Sequence, residues 1–176
     1  AQGSGSDWHL QNLAFVRDDI NLNASGRVQT RGDWPLDLEV GLVLPPPYGA
    51  GWQFALNLTG SAADLRIKGQ SSGYLDATLA GRVAPLDSAL PAELTVRSSR
   101  FVPAEGLPKT LVLTDTVVAL KGSLENGFRS DSRTVLPGST GDIPVSLKGL
   151  VTTEGLDGLE LALTGPGTTE VETGRL

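Results

Sequence analysis

Chemistry in a protein chain requires particular side chains held close together, and this sequence offers few of them. It has one histidine, His9, and no cysteine. A lone imidazole builds neither a Ser-His-Asp triad nor a histidine-rich metal site, so His9 reads as a surface side chain. Without a thiol there is no disulfide framework, no thiolate nucleophile and no Cys-ligated zinc. Asp18-Asp19 sets two carboxylates side by side, but no spaced set of the EF-hand kind follows, and the pair reads as a turn. Gly165-Pro166-Gly167 lacks the Lys-Ser/Thr ending and the following helix of a phosphate loop. Asn23-Ala24-Ser25 and Asn57-Leu58-Thr59 fit the glycosylation sequon, yet both fall inside strand patterns and are taken as chance. Trp8, Trp34 and Trp52 are of the type that stacks on sugars; at Trp34-Pro35 and Gly51-Trp52 a ring covering the end of an apolar strand face is the simpler reading. The expectation is no catalytic residue, no metal ligand, no cofactor and no enzyme.

The elements carry more information than the isolated residues. In Phe54-Ala55-Leu56-Asn57-Leu58-Thr59-Gly60 the large apolar residues take every second position, and the glycine falls in phase with them. Successive side chains on a strand point to opposite faces, so this is a strand with one apolar and one polar face. The figure recurs in Leu22-x-Ala24-x-Gly26, Leu65-x-Ile67-x-Gly69, Ala77-x-Leu79-x-Gly81, Val118-x-Leu120-x-Gly122, Val145-x-Leu147-x-Gly149 and Leu161-x-Leu163-x-Gly165. Each in-phase glycine marks a bend or bulge, or else leaves room on the apolar face for a guest. The two are compatible, because a sheet that bends at such glycines becomes a trough.

In chain order, Trp8 to Val16 reads as a strand of imperfect phase and Ile20 to Val28 as a clean one. Arg31-Gly32-Asp33 breaks the run before Leu36 to Leu44. Pro45-Pro46-Pro47-Tyr48-Gly49 cannot continue a ladder and reads as a stiff loop. Strands follow over Gly51 to Thr59, Leu65 to Gly69 and Leu75 to Val83. After a loop over Pro85 to Pro91 come Leu94 and Val96, with Phe101 at the end. Pro103 to Pro108 is a loop, Leu111 and Leu113 a short strand, and Val118 to Leu124 the next. Glu125-Asn126-Gly127 is a hairpin turn. Phe128 to Val135 alternates poorly, and Leu136 to Asp142 is a loop. Ile143 to Val151 and Leu159 to Leu163 are strands, and Thr168 to Glu172 a weak last one. The sum is an all-β, antiparallel meander of about a dozen strands with no helical period. The irregular spacing of the in-phase glycines argues against a propeller or a regular β-helix.

Composition narrows the role. The 176 residues suggest one domain or a piece of something longer, and the 39% hydrophobic and 19% charged residues are not those of a disordered chain. Gly3-Ser4-Gly5-Ser6 reads as a spacer or a turn. A net charge of −6 with scattered cations lacks the footprint of a nucleic-acid binder. No apolar run reaches bilayer length and no signal peptide opens the sequence, so if the protein is exported or anchored, that information lies outside this stretch.

The segment Ile20-Asn21-Leu22-Asn23-Ala24-Ser25-Gly26-Arg27-Val28, followed by Asp33-Trp34-Pro35-Leu36-Asp37-Leu38, resembles the TamB family of translocation and assembly module proteins. Asp64-Leu65-Arg66-Ile67, Leu75-x-Ala77-x-Leu79-Ala80-Gly81-x-Val83, Leu90-Pro91-Ala92-Glu93-Leu94 and Leu120-Lys121-Gly122-Ser123-Leu124 follow in the order of its repeats. The resemblance rests on this ordered set and runs from about Ile20 to Leu163, a region well before the family's C-terminal domain. The Pro45-Pro46-Pro47 loop and Phe128 to Val135 depart from the pattern. The resemblance implies an AsmA-like protein anchored in the inner membrane of a Gram-negative bacterium and reaching across the periplasm. It implies a TamA-like outer-membrane barrel as partner, and an open, U-shaped β-taco with an apolar interior. It implies a link to phospholipid transport and to outer-membrane protein assembly.

Within that reading, residues 1–176 form one continuous β-taco segment of a longer protein, with residues 1–6 as a spacer. The expected groove lining is Leu22, Leu38, Phe54, Leu56, Leu58, Leu65, Ile67, Leu79, Val83, Val96, Leu111, Leu120, Val145, Leu147, Leu161 and Leu163. At roughly 4.8 Å per strand, a dozen strands make a column on the order of 60 Å. Its expected guest is the acyl chain of a phospholipid. Two other readings predict different surroundings for the same leucines. A scaffold would hold client β-strands of outer-membrane proteins by edge addition. A closed β-sandwich binding glycans through Trp34 and Trp52 would pack the leucines against one another.

Overall fold

The period-two pattern resolves into strands that each pair with the next one along the chain. The computed structural model describes residues 2–17, 20–44, 51–102 and 111–164. Its strands are β1 (Gln2–Ser4), β2 (Asp7–Arg17), β3 (Ile20–Gln29), β4 (Pro35–Leu44), β5 (Trp52–Ser61) and β6 (Asp64–Gly73), then β7 (Ala77–Val83), β8 (Ala92–Phe101), β9 (Leu113–Ser123), β10 (Gly127–Leu136), β11 (Ile143–Val151) and β12 (Leu156–Leu163). They form one twelve-stranded sheet in sequence order, every pair antiparallel, with β1 and β12 left at its two edges. The expected all-β meander is the architecture found, and the sheet is not closed.

Short turns give this topology its economy. Ser61 and Asp64 pair across the two-residue turn Ala62-Ala63, with the Asp64 N–H donating to Ser61 Oγ at 3.3 Å. At Glu125-Asn126-Gly127 the pairing resumes at Ser123↔Gly127, so the loop spans three residues. Gly127 takes a φ of 76°, and the Asn126 N–H donates to Ser123 Oγ at 3.2 Å. Glycine thus supplies the left-handed position at which the pairing resumes.

The turns at one end of the sheet are also tied to each other. The Thr30 N–H donates to Ser6 O at 2.8 Å, the Ala62 N–H to Asp33 O at 2.8 Å, the Leu86 N–H to Ala62 O at 3.0 Å and the Leu124 N–H to Ala89 O at 2.8 Å. These bonds continue the strand-to-strand linkage beyond the strands themselves and satisfy backbone groups that a turn would otherwise leave to water.

Several sequence expectations shift in detail. Leu111 lies outside the ladder, and Leu113 joins Val118 in one strand, because the bulge at Asp115 (φ 50°) absorbs the phase change that reads as a break in sequence. Phe128 to Val135 falls within β10 despite its poor alternation; pairing to β9 and β11 on both sides decides its conformation. Gln2–Ser4 of the glycine-serine stretch joins the sheet as β1. The expectations for Asp18-Asp19, Pro45 to Gly49, Pro103 to Pro108, Gly165-Pro166-Gly167 and Thr168 to Glu172 fall outside the described residues.

A sheet usually buries one face against a second layer. Here the described residues supply none. Among the described residues no large side chain is fully buried, and the buried apolar ones are Ala24, Leu65 and Ala77. The closed sandwich is therefore overturned, since one open sheet leaves its leucines without a facing sheet to pack against.

Candidate functional site

The register brings side chains from distant parts of the sequence into rows across one face. Leu22 stands opposite Leu42, which stands opposite Phe54. One position along, Ala24, Val40, Leu56, Gly69, Leu79, Val96 and Val118 succeed one another from β3 to β9. The next row runs Gly26, Leu38, Leu58, Ile67, Gly81, Leu94 and Leu120. The row after it contains Leu65 beside Val83. On β11 and β12, Val145 faces Leu163 and Leu147 faces Leu161. All of the residues named as lining except Leu111 thus belong to one face of the sheet, while Leu111 precedes β9.

The same face carries residues outside the expected lining. Leu36, Val40, Leu42, Leu94 and Val118 stand in the rows just described, and Leu10, Leu13 and Phe15 extend them onto β2. Period two alone identifies Leu36 to Leu42. Those on β2 were obscured by the register shift between Leu10 and Leu13. Most of the face is half-buried, and exposure rises toward its margins: Phe15 is 54% exposed, Leu161 44%, and Leu147 in β11 36%.

The in-phase glycines serve close strand approach more than empty space. A Cβ added at Gly69 would lie 2.7 Å from Leu56 Cδ2 and closer still to the Ala55 carbonyl oxygen. A neighbouring leucine already covers this glycine, so the bend outweighs the vacancy there.

The opposite face is polar and charged. Asn57 lies beside Glu39 and Lys68, and Arg82 beside Arg66 and Glu93. Arg82 grips Asp64 with two hydrogen bonds, Nε to Oδ1 at 3.1 Å and Nη2 to Oδ2 at 2.7 Å. That hydrogen bonding, aided by the Arg82 and Arg66 charges, holds the Asp64 carboxyl below its ordinary range. Lys121 and Glu93 pair at 3.5 Å, and Arg133 and Asp131 at 3.7 Å. Asp64–Arg82 and Glu93–Lys121 pair across strands and Asp131–Arg133 along one, and these exposed pairs keep this face wet.

Aromatic residues gather at the end of the sheet remote from the tied turns. Trp52 lies 4.8 Å from Phe54 and 5.6 Å from Tyr74, and Tyr74 lies 6.2 Å from Phe101, as ring centroids. Trp34 sits at the opposite end, exposed beside the β3–β4 turn, so it shares no platform with Trp52. His9 is exposed on β2 opposite Arg27. Among the described residues no group of three or more His, Cys, Asp or Glu side chains is placed to hold a metal ion, and no helix is long and apolar enough to cross a membrane.

The arrangement thus presents rows of interchangeable aliphatic side chains on one face and a charged surface on the other. No curated protein and no solved structure matches the chain. A family model described as TamB, N-terminal domain, matches residues 1–169.

Proposed function

Because the chain belongs to the TamB family, a family involved in outer-membrane assembly and lipid transport, we propose that it is a segment of a periplasm-spanning conduit whose leucine face shields phospholipid acyl chains between the two membranes. One observation carries this reading: a face of aliphatic rows runs across a sheet that has no second layer over it among the described residues. A contiguous apolar surface of that extent calls for an occupant.

The energetics suit an acyl chain. Each methylene withdrawn from water contributes about 0.8 kcal/mol, so a sixteen-carbon tail gains roughly 12 kcal/mol gross. That makes unaided passage through an aqueous gap slow. From β3 to β9, rows of leucine, valine and isoleucine offer nearly equal burial from strand to strand, so no single position there traps the guest. Curling of the sheet toward this face, the β-taco, would complete the shielding; the lower exposure of the central strands' leucines relative to those on β2 and β12 supports it. The chain would be one continuous part of a protein anchored in the inner membrane, working with a TamA-like outer-membrane barrel.

A second reading is favoured by one observation. β1 covers only Asp7 to His9 of β2, and Leu13, Phe15 and Val16 beyond it are exposed by 51%, 54% and 68%. Among the described residues that stretch of β2 pairs on one side only, with β3, and presents apolar side chains, which suits strand addition by an outer-membrane protein client. Lipid extraction and mass spectrometry on protein purified from cell envelopes separate the two. The conduit predicts co-purified phospholipid; lipid-free protein that captures client strands supports the scaffold and overturns the conduit.

A further inference from the structure

On the leucine face, β10 is out of character. Its side chains there are Phe128, Ser130, Ser132 and Thr134, set between Gly122, Leu120, Val118 and Thr116 of β9 and Val151, Gly149, Leu147 and Val145 of β11. Two serines therefore occupy the middle of a strand whose neighbours present leucine and valine. The poor alternation of Phe128 to Val135 in sequence is the same fact seen without the register.

Hydroxyls elsewhere on this face are tied into the protein. Ser71 Oγ donates to Leu75 O at 2.7 Å, and Ser98 Oγ lies 2.7 Å from Asp76 O and 2.8 Å from Arg100 O. The Thr116 and Thr134 hydroxyls bond at 2.7 Å, and Thr134 Oγ1 also lies 3.2 Å from Thr114 O. Ser130 and Ser132 differ. Among the described residues each hydroxyl meets only the other, at 3.4 Å. A hydroxyl has one donor and two acceptor sites, so this pair keeps most of its capacity for water. An acyl chain lying over it has neither donor nor acceptor to offer, and covering an unsatisfied hydroxyl is unfavourable.

We propose that Ser130 and Ser132 form a hydrated step that interrupts the acyl-chain track at β10 and divides it into two apolar sections. This rests on the conduit reading. The longer section, β2 to β9, spans about 34 Å at roughly 4.8 Å per strand, enough to seat a chain without crossing the step. The shorter one begins at β11 with Val145 and Leu147. The step gives an otherwise uniform track a barrier, which sets the rate at which chains pass from one section to the other in either direction.

The test uses the full-length protein and vesicles containing phosphatidylethanolamine with a diazirine on its acyl chain. After illumination, adducts are mapped by peptide mass spectrometry. Carbenes insert readily into O–H bonds, so weak labelling of serines reports absence of the chain and not poor reactivity. The expected result is labelling of β5 and β9, with Ser130 to Thr134 labelled about tenfold less, a ratio equivalent to about 1.4 kcal/mol. In S130V/S132V, where valine favours the strand, labelling of β10 should rise to that of β9. Circular dichroism checks that the sheet is kept. Equal labelling of β9 and β10 in the unmodified protein, or no rise in S130V/S132V, overturns the step alone. No adducts on β5 and β9 would overturn the conduit reading and the step with it.

Discussion

Leu58 on β5 stands directly opposite Ile67 on β6, and both side chains remain half-buried because nothing in the described structure lies over them. The pair stabilises the ladder as a cross-strand contact, worth about 0.2–1 kcal/mol, and still leaves apolar surface free. The two roles separate under substitution. Leu58→Asp keeps its carboxylate in reach of water, so the sheet should form with a loss of about 1 kcal/mol, while lipid carriage is abolished. Thermal unfolding by circular dichroism and an outer-membrane integrity assay in cells read the two effects. Normal integrity with Leu58→Asp would count against an acyl track at this strand.

Leu147 on β11 tests whether the track extends past β10. It is 36% exposed, so Leu147→Arg should cost less stability than Leu58→Asp, about 0.5 kcal/mol or less. Lipid transport should be lost all the same. Unchanged transport would confine the track to the strands before β10.

The glycines give a contrast in packing. A Cβ at Gly69 meets Leu56 Cδ2 at 2.7 Å, whereas at Gly149 the nearest atom lies 3.5 Å away. Gly69→Ala should therefore destabilise the sheet by about 1–3 kcal/mol through overpacking. Gly149→Ala should be neutral or stabilising by up to about 1 kcal/mol, since alanine restricts the unfolded chain. Denaturant titration of both variants checks the order.

Among the described residues, Asp64 gives acid sensitivity a local source with a definite sign. Hydrogen bonding to Arg82 lowers the folded-state pKa of Asp64 below its ordinary value. The stabilisation is fully present above the ordinary carboxylate pKa and is lost as pH falls through the lowered folded one. Asp64→Asn should remove that contribution, lowering stability slightly in the neutral region and leaving the acid end, where Asp64 is already protonated, nearly unchanged, so that this part of the acid limb flattens. The pair is exposed and screened by salt, so raising the ionic strength should shrink the difference.

Much of this was legible in the residues. Phe54 to Gly60 and Ile20 to Val28 announce strands with one apolar face, because a side-chain period of two leaves no other way to gather their leucines. The antiparallel meander follows from the short turns, such as Ala62-Ala63. What sequence could not supply was register across bulges. Asp115 shifts the phase inside β9, which split one strand into two and placed Leu111 in a ladder it does not join. The shift between Leu10 and Leu13 concealed that β2 shares the face. Ser130 and Ser132 show in sequence only as poor alternation, and their register beside Leu120 and Leu147 is what places them in an apolar row.

The most direct test of the central claim compares the two faces of one strand. A photoreactive amino acid placed at Leu58 or at its chain neighbour Asn57, in the full-length protein in living cells, reports what each face touches. Phospholipid adducts at position 58 and none at position 57 are the expected result. Equal adducts at both positions, or protein adducts alone at position 58, would contradict an acyl-chain conduit.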